Sequence, residues 1–229
     1  WRMDEQNGSG EVMDNSSYNN YGTTYGNANQ TDSGRFGKGW EFDGSGDYIE
    51  IAASQNFNFT NLNFTICAWM YNLDSVTENE MIIGIPDENT SITALLQNGW
   101  LNNIKFLVYN TTQDWHEIDP PGYTFAVNEW HFACGRFNGT SASLFIDGDG
   151  EVGNTHFYGV LSDNSNSTGT IEIGRWGTSA QSFDGVIDEV LIFNRSLNDT
   201  EILALYNASA TQYQNNFTSL ADGDHTFKG

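Results

Sequence analysis

The sequence is poor in positive charge. Eight Lys and Arg stand against thirty Asp and Glu, giving a net charge of −22 over 229 residues. Nucleic-acid binding needs a basic surface, and eight cations supply little of one. An anionic membrane surface would repel the chain for the same reason. No apolar run approaches the ~20 residues of a membrane-spanning helix. No leader with a basic start and an apolar stretch opens the sequence at Trp1, so the compartment has to be read from other features. Only three Pro occur beside twenty-four Gly, which suits many tight turns. The acidity itself has three explanations: solubility at a crowded surface, cation binding, or a high-salt habitat.

What is present is strand-forming. Fifteen Phe, ten Tyr and seven Trp belong to a chain that is 38% hydrophobic, long enough for one large all-β domain, or one domain and the start of another. Trp1–Asp4 reads as the end of an N-terminal strand. A polar run of Gly, Asn, Ser, Thr, Asp and Tyr then extends from Glu5 to Ser33; a loop of that length needs something to order it. Short strands are expected within 39–52, about the turn Asp43-Gly-Ser-Gly-Asp47, and over 63–71, 80–85, 91–96, 101–109, 115–118, 130–137, 141–146, 152–157 and 170–173. Asn138-Gly139 is the strongest hairpin signal, and Asn98-Gly99 a second one. About a dozen strands with short polar links predict two packed antiparallel sheets, a β-sandwich or jelly roll.

The stretch 182–207 breaks that rhythm. Val186 to Phe193 is an apolar strand interrupted by Asp188-Glu189. Asn198 or Asp199 then stands as a helix N-cap with Glu201 close behind, and Ile202, Leu203, Leu205 and Tyr206 supply a helical stripe. The domain is expected to span 1–207. Residues 208–229 read as a linker and the start of a following Ig-like β module, or as a tail that exchanges a strand with a neighbouring subunit.

Two features speak to compartment. The acceptor pattern Asn-x-Ser/Thr occurs at Asn15, Asn29, Asn58, Asn63, Asn89, Asn110, Asn138, Asn166, Asn194, Asn198, Asn207 and Asn216. Such density fits a heavily N-glycosylated extracellular protein, although Asn, Ser and Thr are also common loop residues. The two cysteines, Cys67 and Cys134, fall in two strand-like runs. In an oxidising compartment they would pair; otherwise they are two buried thiols acting as small hydrophobes.

An ordered series of short motifs resembles the concanavalin A-like lectin/glucanase superfamily, in particular its laminin-G-like jelly-roll modules of bacterial and archaeal surface proteins. The series runs Trp1-Arg-Met-Asp4 and Gly8-Ser-Gly10, then Asp14-Asn-Ser-Ser17, Gly34-Arg-Phe-Gly37, Phe42-Asp-Gly44 and Phe64-Thr-Ile-Cys-Ala-Trp69. It continues through Trp130-His-Phe-Ala133, Leu144-Phe-Ile-Asp-Gly148 and Phe183-Asp-Gly-Val-Ile-Asp-Glu-Val190 to Phe193-Asn-Arg195. The resemblance implies the sandwich fold, with the Asp14 loop near the Asp188 strand. It also implies one calcium ion there, held by Asp14, Asn20 and Asp188, since calcium takes oxygens from carboxylates, amides and carbonyls. The alternative is that Asp14 caps its own turn and Asp188 or Glu189 accepts backbone amides. The cysteine pair resembles the single disulfide of pentraxins. Their acidic calcium site has no counterpart in 174–182, a run without a carboxylate, and is not carried over.

Catalysis finds little support. Glucanases of this fold use Glu-x-Asp-x-x-Glu on one strand; the nearest match, Glu117-Ile-Asp119-Pro-Pro-Gly122, lacks the last carboxylate and is broken by proline. Asp147-Gly-Asp149-Gly-Glu151 reads as a hairpin turn, because Val152 and Tyr158 fall on the glycine and closing-glutamate positions of a calcium loop. Loop aromatics able to stack on a sugar are Trp100, Trp115, Tyr123, Tyr158 and, most of all, Trp176. The expectation is a non-catalytic extracellular recognition or adhesion module that binds glycans or proteins. The alternatives are a structural subunit of a surface filament and, last, a glycoside hydrolase.

Overall fold

In the computed structural model, which describes residues 1–52, 63–73, 79–86, 92–98, 103–109, 115–120, 122–156, 170–175 and 181–210, two seven-stranded antiparallel sheets pack face to face. The strands are β1 (Gly22–Tyr25), β2 (Asn29–Thr31), β3 (Gly39–Asp43), β4 (Tyr48–Ile51), β5 (Asn63–Asn72), β6 (Glu80–Pro86), β7 (Ile92–Asn98), β8 (Asn103–Tyr109), β9 (Trp115–Ile118), β10 (Trp130–Asn138), β11 (Ser141–Ile146), β12 (Glu151–His156), β13 (Ile171–Ile173) and β14 (Asp184–Phe193), followed by the helix α1 (Asp199–Ala210). One sheet has the order β1-β4-β13-β6-β7-β8-β9. The other has the order β12-β11-β10-β5-β14-β3-β2.

The expected all-β sandwich is present, and its core follows from strand alternation. Phe64, Ile66, Ala68 and Met70 of β5 face the opposite sheet, where they meet residues such as Phe106 and Ile83. Gly135 in β10 leaves room for the Phe106 ring, because a Cβ there would collide with it. The alternate residues of β5 do not face solvent. Cys67 and Trp69 join Phe36, Phe132, Cys134, Phe145, Leu197 and Ile202 in a second buried cluster on the outer face of their sheet. Tyr206 of α1 stacks on Trp69, with ring centroids 5.7 Å apart. A run that is buried on both faces explains why 64–70 is apolar without alternation.

The cysteines occupy directly opposed positions of β5 and β10 and form a disulfide, Cα to Cα 4.1 Å. The helix begins with a reciprocal cap. Asn198 Oδ1 accepts the Glu201 amide at 2.9 Å, and Glu201 Oε2 accepts the Asn198 amide at 2.8 Å, a capping box. Asn198, rather than Asp199, is the cap.

Two expectations change. Trp1–Asp4 is not a strand: Met3 has φ 65°, outside the β region. The polar run 5–33 is not structureless, since it contains β1 and β2, which pair with β4 and β3. Gly22, whose Cβ would collide with Ile49, lets β1 lie close over the core. Helix α1 continues through Asn207 to Ala210; residues 211–229, with the expected second module or exchanging tail, lie outside the described residues.

Candidate functional site

The N-terminal loop is tied to the sandwich at both ends. Val12, fully buried, exchanges two backbone hydrogen bonds with Gly22 at 2.8 and 2.9 Å. The Trp1 backbone nitrogen donates to Val190 O at 2.7 Å, and its indole Nε1 to Asn20 O at 2.7 Å. Between these anchors Asp14 organises the turn. Its Oδ1 accepts the Ser16 amide at 2.9 Å; its Oδ2 accepts the Asn20 amide at 2.9 Å and Asn20 Nδ2 at 3.2 Å. Burial alone would raise the Asp14 carboxyl, but the Asn20 and Ser16 hydrogen bonds outweigh it and hold the group below its ordinary value.

Asp188 is fully buried and faces a different set of groups. Its Oδ2 accepts the Phe36 amide at 3.0 Å and its Oδ1 the Glu189 amide at 2.7 Å. Burial, joined by the charges of Glu189 and Asp4, pushes this carboxyl up to about 7 despite the two amides. The ladder with β5 shifts register between Asp188 and Leu191, and Glu189 sits at φ 49°. This is a β-bulge, which re-aims the strand beyond it. Arg2 meets the Glu189 carboxylate at 3.3 Å.

The structure therefore brings Asp14 and Asn20 into direct contact and lays their loop against β14, as the resemblance implied. It places Asp188 on the Phe36 loop instead of in the same hydrogen-bonded set. Among the described residues no group of three or more His, Cys, Asp or Glu side chains converges as a metal site. The oxygens of Asp14 and Asp188 already accept amide hydrogens, the arrangement of a turn cap and a loop anchor. Asp14 and Asn20 thus share one hydrogen-bonded set, and Asp188 has partners of its own.

Beyond the bulge, β14 and the Asp14 loop enclose an open groove of about 530 Å³. Leu191, Ile192 and Phe193 supply apolar surface. Asp14, Asn20, Arg2, Asn194 and Arg195 supply polar groups, and Tyr18 stands at the side with 64% of its surface exposed. The Arg195 guanidinium is held by Glu201, at 2.9 Å to each carboxylate oxygen. Tyr18 is the residue the sequence analysis overlooked. Its position in the Asp14-Asn-Ser-Ser loop is the signal that could have found it.

Other candidates fall elsewhere. Trp176, Trp100 and Tyr158 lie outside the described residues. Tyr123 donates to Asp149 at 3.1 Å, and Asp147 accepts from His131 Nδ1 at 2.7 Å and from the Phe132 amide at 2.7 Å, so the 147–151 run is a pinned hairpin turn. The partial glucanase motif is neutralised: Lys105 Nζ lies 2.7 Å from Glu117 and 3.8 Å from Asp119. Of these sequon residues, Asn15, Asn29, Asn63, Asn138, Asn194, Asn198 and Asn207 are all exposed, while Asn58, Asn89, Asn110, Asn166 and Asn216 lie outside the described residues; Asn7-Gly-Ser9 also fits the pattern, with Asn7 half-buried and its side-chain amide donating to Glu11.

A two-sheet antiparallel jelly roll with a loop-lined groove at one end is the architecture of a lectin-like domain. The sequence agrees: residues 43–203 match the model of the concanavalin A-like lectin/glucanases superfamily, and the chain belongs to that family. No curated protein matches it by sequence. Several solved structures share its fold. The binding domain of Paraclostridial Mosquitocidal Protein 1 matches with TM-score 0.72 and 17% identity, over 86% of this chain and 49% of that one. The binding domain of Botulinum Neurotoxin DC, in complex with SialylT, gives TM-score 0.71 and 18% identity, over 92% and 51%. Domain 4 of AbnA, an extracellular arabinanase from Geobacillus stearothermophilus, in complex with arabinotriose, gives 0.64 and 17%, over 81% and 88%. The chain thus spans about half the length of the two toxin domains and most of the arabinanase domain.

Proposed function

We propose that the chain is a non-catalytic recognition module that binds an oligosaccharide in the groove between the Asp14 loop and β14. The observation that carries this is the groove's chemistry: an exposed Tyr18 ring beside apolar strand residues and a set of amide, carboxylate and guanidinium groups. Sugar rings pair an apolar face with many hydroxyls, and a site of this kind answers both. The solved neighbours with bound SialylT and arabinotriose support a glycan ligand. The disulfide supports a secreted or surface location, because such bonds persist in oxidising compartments. No described helix is long and apolar enough to cross a membrane.

The test is a glycan array that includes arabino-oligosaccharides and sialylated oligosaccharides, followed by titration calorimetry on any hit. Tyr18→Ala is expected to weaken binding by about tenfold, the loss of roughly 1.4 kcal/mol of stacking. An array without hits, or a hit whose affinity is unchanged in both Tyr18→Ala and Arg2→Ala, refutes the assignment to this groove.

A further inference from the structure

Four acceptor sequons from three separate segments of the chain meet at one end of the sandwich. Asn63 opens β5 and Asn138 closes β10, and the two are directly opposed in the ladder. At the same end Phe193 pairs with Thr65, so Asn194 is the first residue past β14. The Thr65 hydroxyl donates to Arg195 O at 3.1 Å and accepts the Leu197 amide at 3.0 Å, which fastens the segment leading to Asn198. Arg136 completes the tie, donating to Leu197 O at 3.2 Å and Asp199 Oδ1 at 2.6 Å. All four asparagines are exposed.

We propose that this rim is an N-glycan acceptor surface. The donor is an oligosaccharide linked to a polyprenyl phosphate or diphosphate. The asparagine Nδ2 attacks the anomeric carbon. An N–C bond forms, the C–O bond to phosphate breaks with its electron pair leaving on the phosphate, and one amide proton passes to a base of the transferase.

The four sites differ in when they can react. A transferase reads the sequon through its third residue. Thr140 is exposed and its hydroxyl contacts Asn138 Oδ1 at 3.1 Å, so Asn138 remains an acceptor after folding. Thr65 is fully buried and its hydroxyl is engaged on both sides, so Asn63 can be modified only before β5 is paired. Asn198 uses its Oδ1 as the helix cap, leaving Nδ2 to carry the sugar.

The experiment is secretion of the full chain from an N-glycosylating host. Glycans are then removed with a peptide N-glycosidase in heavy-oxygen water, which converts each occupied asparagine to labelled aspartate. Glycopeptide mass spectrometry is expected to find label at rim positions, with Asn63 included. When folded, unglycosylated protein is instead offered to the transferase in vitro, Asn138 is expected to label and Asn63 not. Asn63→Gln and Thr140→Ala, both at exposed residues, each remove one glycan's mass without disturbing the fold. No label on the rim in the secreted protein, or labelling of Asn63 in the folded protein, overturns the proposal.

Discussion

Replacing both Cys67 and Cys134 with alanine tests whether the sandwich depends on its one covalent link. The bond closes a sequence separation of 67 residues. A crosslink of that span removes about 15 cal/mol/K from the unfolded chain in the loop-closure account, or about 4 kcal/mol at 25 °C. The two sulfurs are also fully buried, packed in the cluster with Trp69, Phe132 and Phe145. Deleting them adds a cavity cost of roughly 1 kcal/mol in all. At about 2–4 °C per kcal/mol for a domain of this size, the variant is expected to melt roughly 10–20 °C below the parent. The assay is thermal unfolding followed by circular dichroism on three samples: the parent, the double variant, and parent that has been unfolded, reduced and refolded in reductant. The reduced parent keeps both sulfurs, so it isolates the crosslink and should retain most of the loss. If it melts within about 3 °C of the oxidised protein, the entropic argument fails.

His131 gives a pH dependence whose sign follows from its neighbours. Its nitrogens face two acceptors, Asp147 Oδ2 at 2.7 Å and Ala126 O at 3.2 Å. Burial pulls its pKa down, but the bond to Asp147 and that group's charge outweigh burial and raise it above 6.5. The folded state therefore binds the proton more tightly than the unfolded state. The stability this contributes is complete below pH 6.5 and is lost as pH rises through the raised value. Urea unfolding from about pH 6 to about pH 9 should show a slope that His131→Gln removes, and an unchanged slope refutes it. The calcium expectation is decided by titrating calcium into EDTA-stripped protein. Binding heat and a higher Tm, both abolished in Asp14→Asn, would uphold it; their absence rules it out.

Much of the sandwich was legible because turns and strands are local. Asn138-Gly139 marked the β10–β11 hairpin, and the apolar runs 63–71 and 130–137 marked the two strands at the centre of their sheet. The helix start was legible for the same reason, since a capping box spans only four residues. What stayed hidden depends on partners far away in sequence. Nothing near Trp1 announces that its indole will hold Asn20 O, or that Met3 will take a left-handed conformation. The polar run 5–33 carries little hydrophobic periodicity, so β1 and β2 were invisible although both pair. Trp69 and Cys67 looked like core residues, which they are. Local pattern could not show that their core is a separate one, lying outside the sheet beneath Phe36 and α1.

Asp188 shows why the groove could be anticipated only in part. The family resemblance correctly brings the Asp14 loop to the strand that carries Asp188, and the natural inference is that the two carboxylates share a ligand. The bulge gives Asp188 amide partners of its own. With Glu189 at φ 49°, Asp188 keeps to the outer face of its sheet and accepts the Phe36 amide, while Val190 returns to the core between the sheets. The strand that leaves the bulge then lines the groove with Ile192 and Phe193. Asp188 thus shapes the groove without entering it, by fixing the bulge and the Phe36 loop at once. Asp188→Asn separates this role from a ligand's role. It leaves one oxygen for two amide donors, so it should lower stability, because a buried amide deprived of its acceptor costs about 1–3 kcal/mol. In the fraction that remains folded, groove affinity should be preserved. A variant that keeps the parent's Tm but loses glycan binding would mean that Asp188 touches the ligand after all.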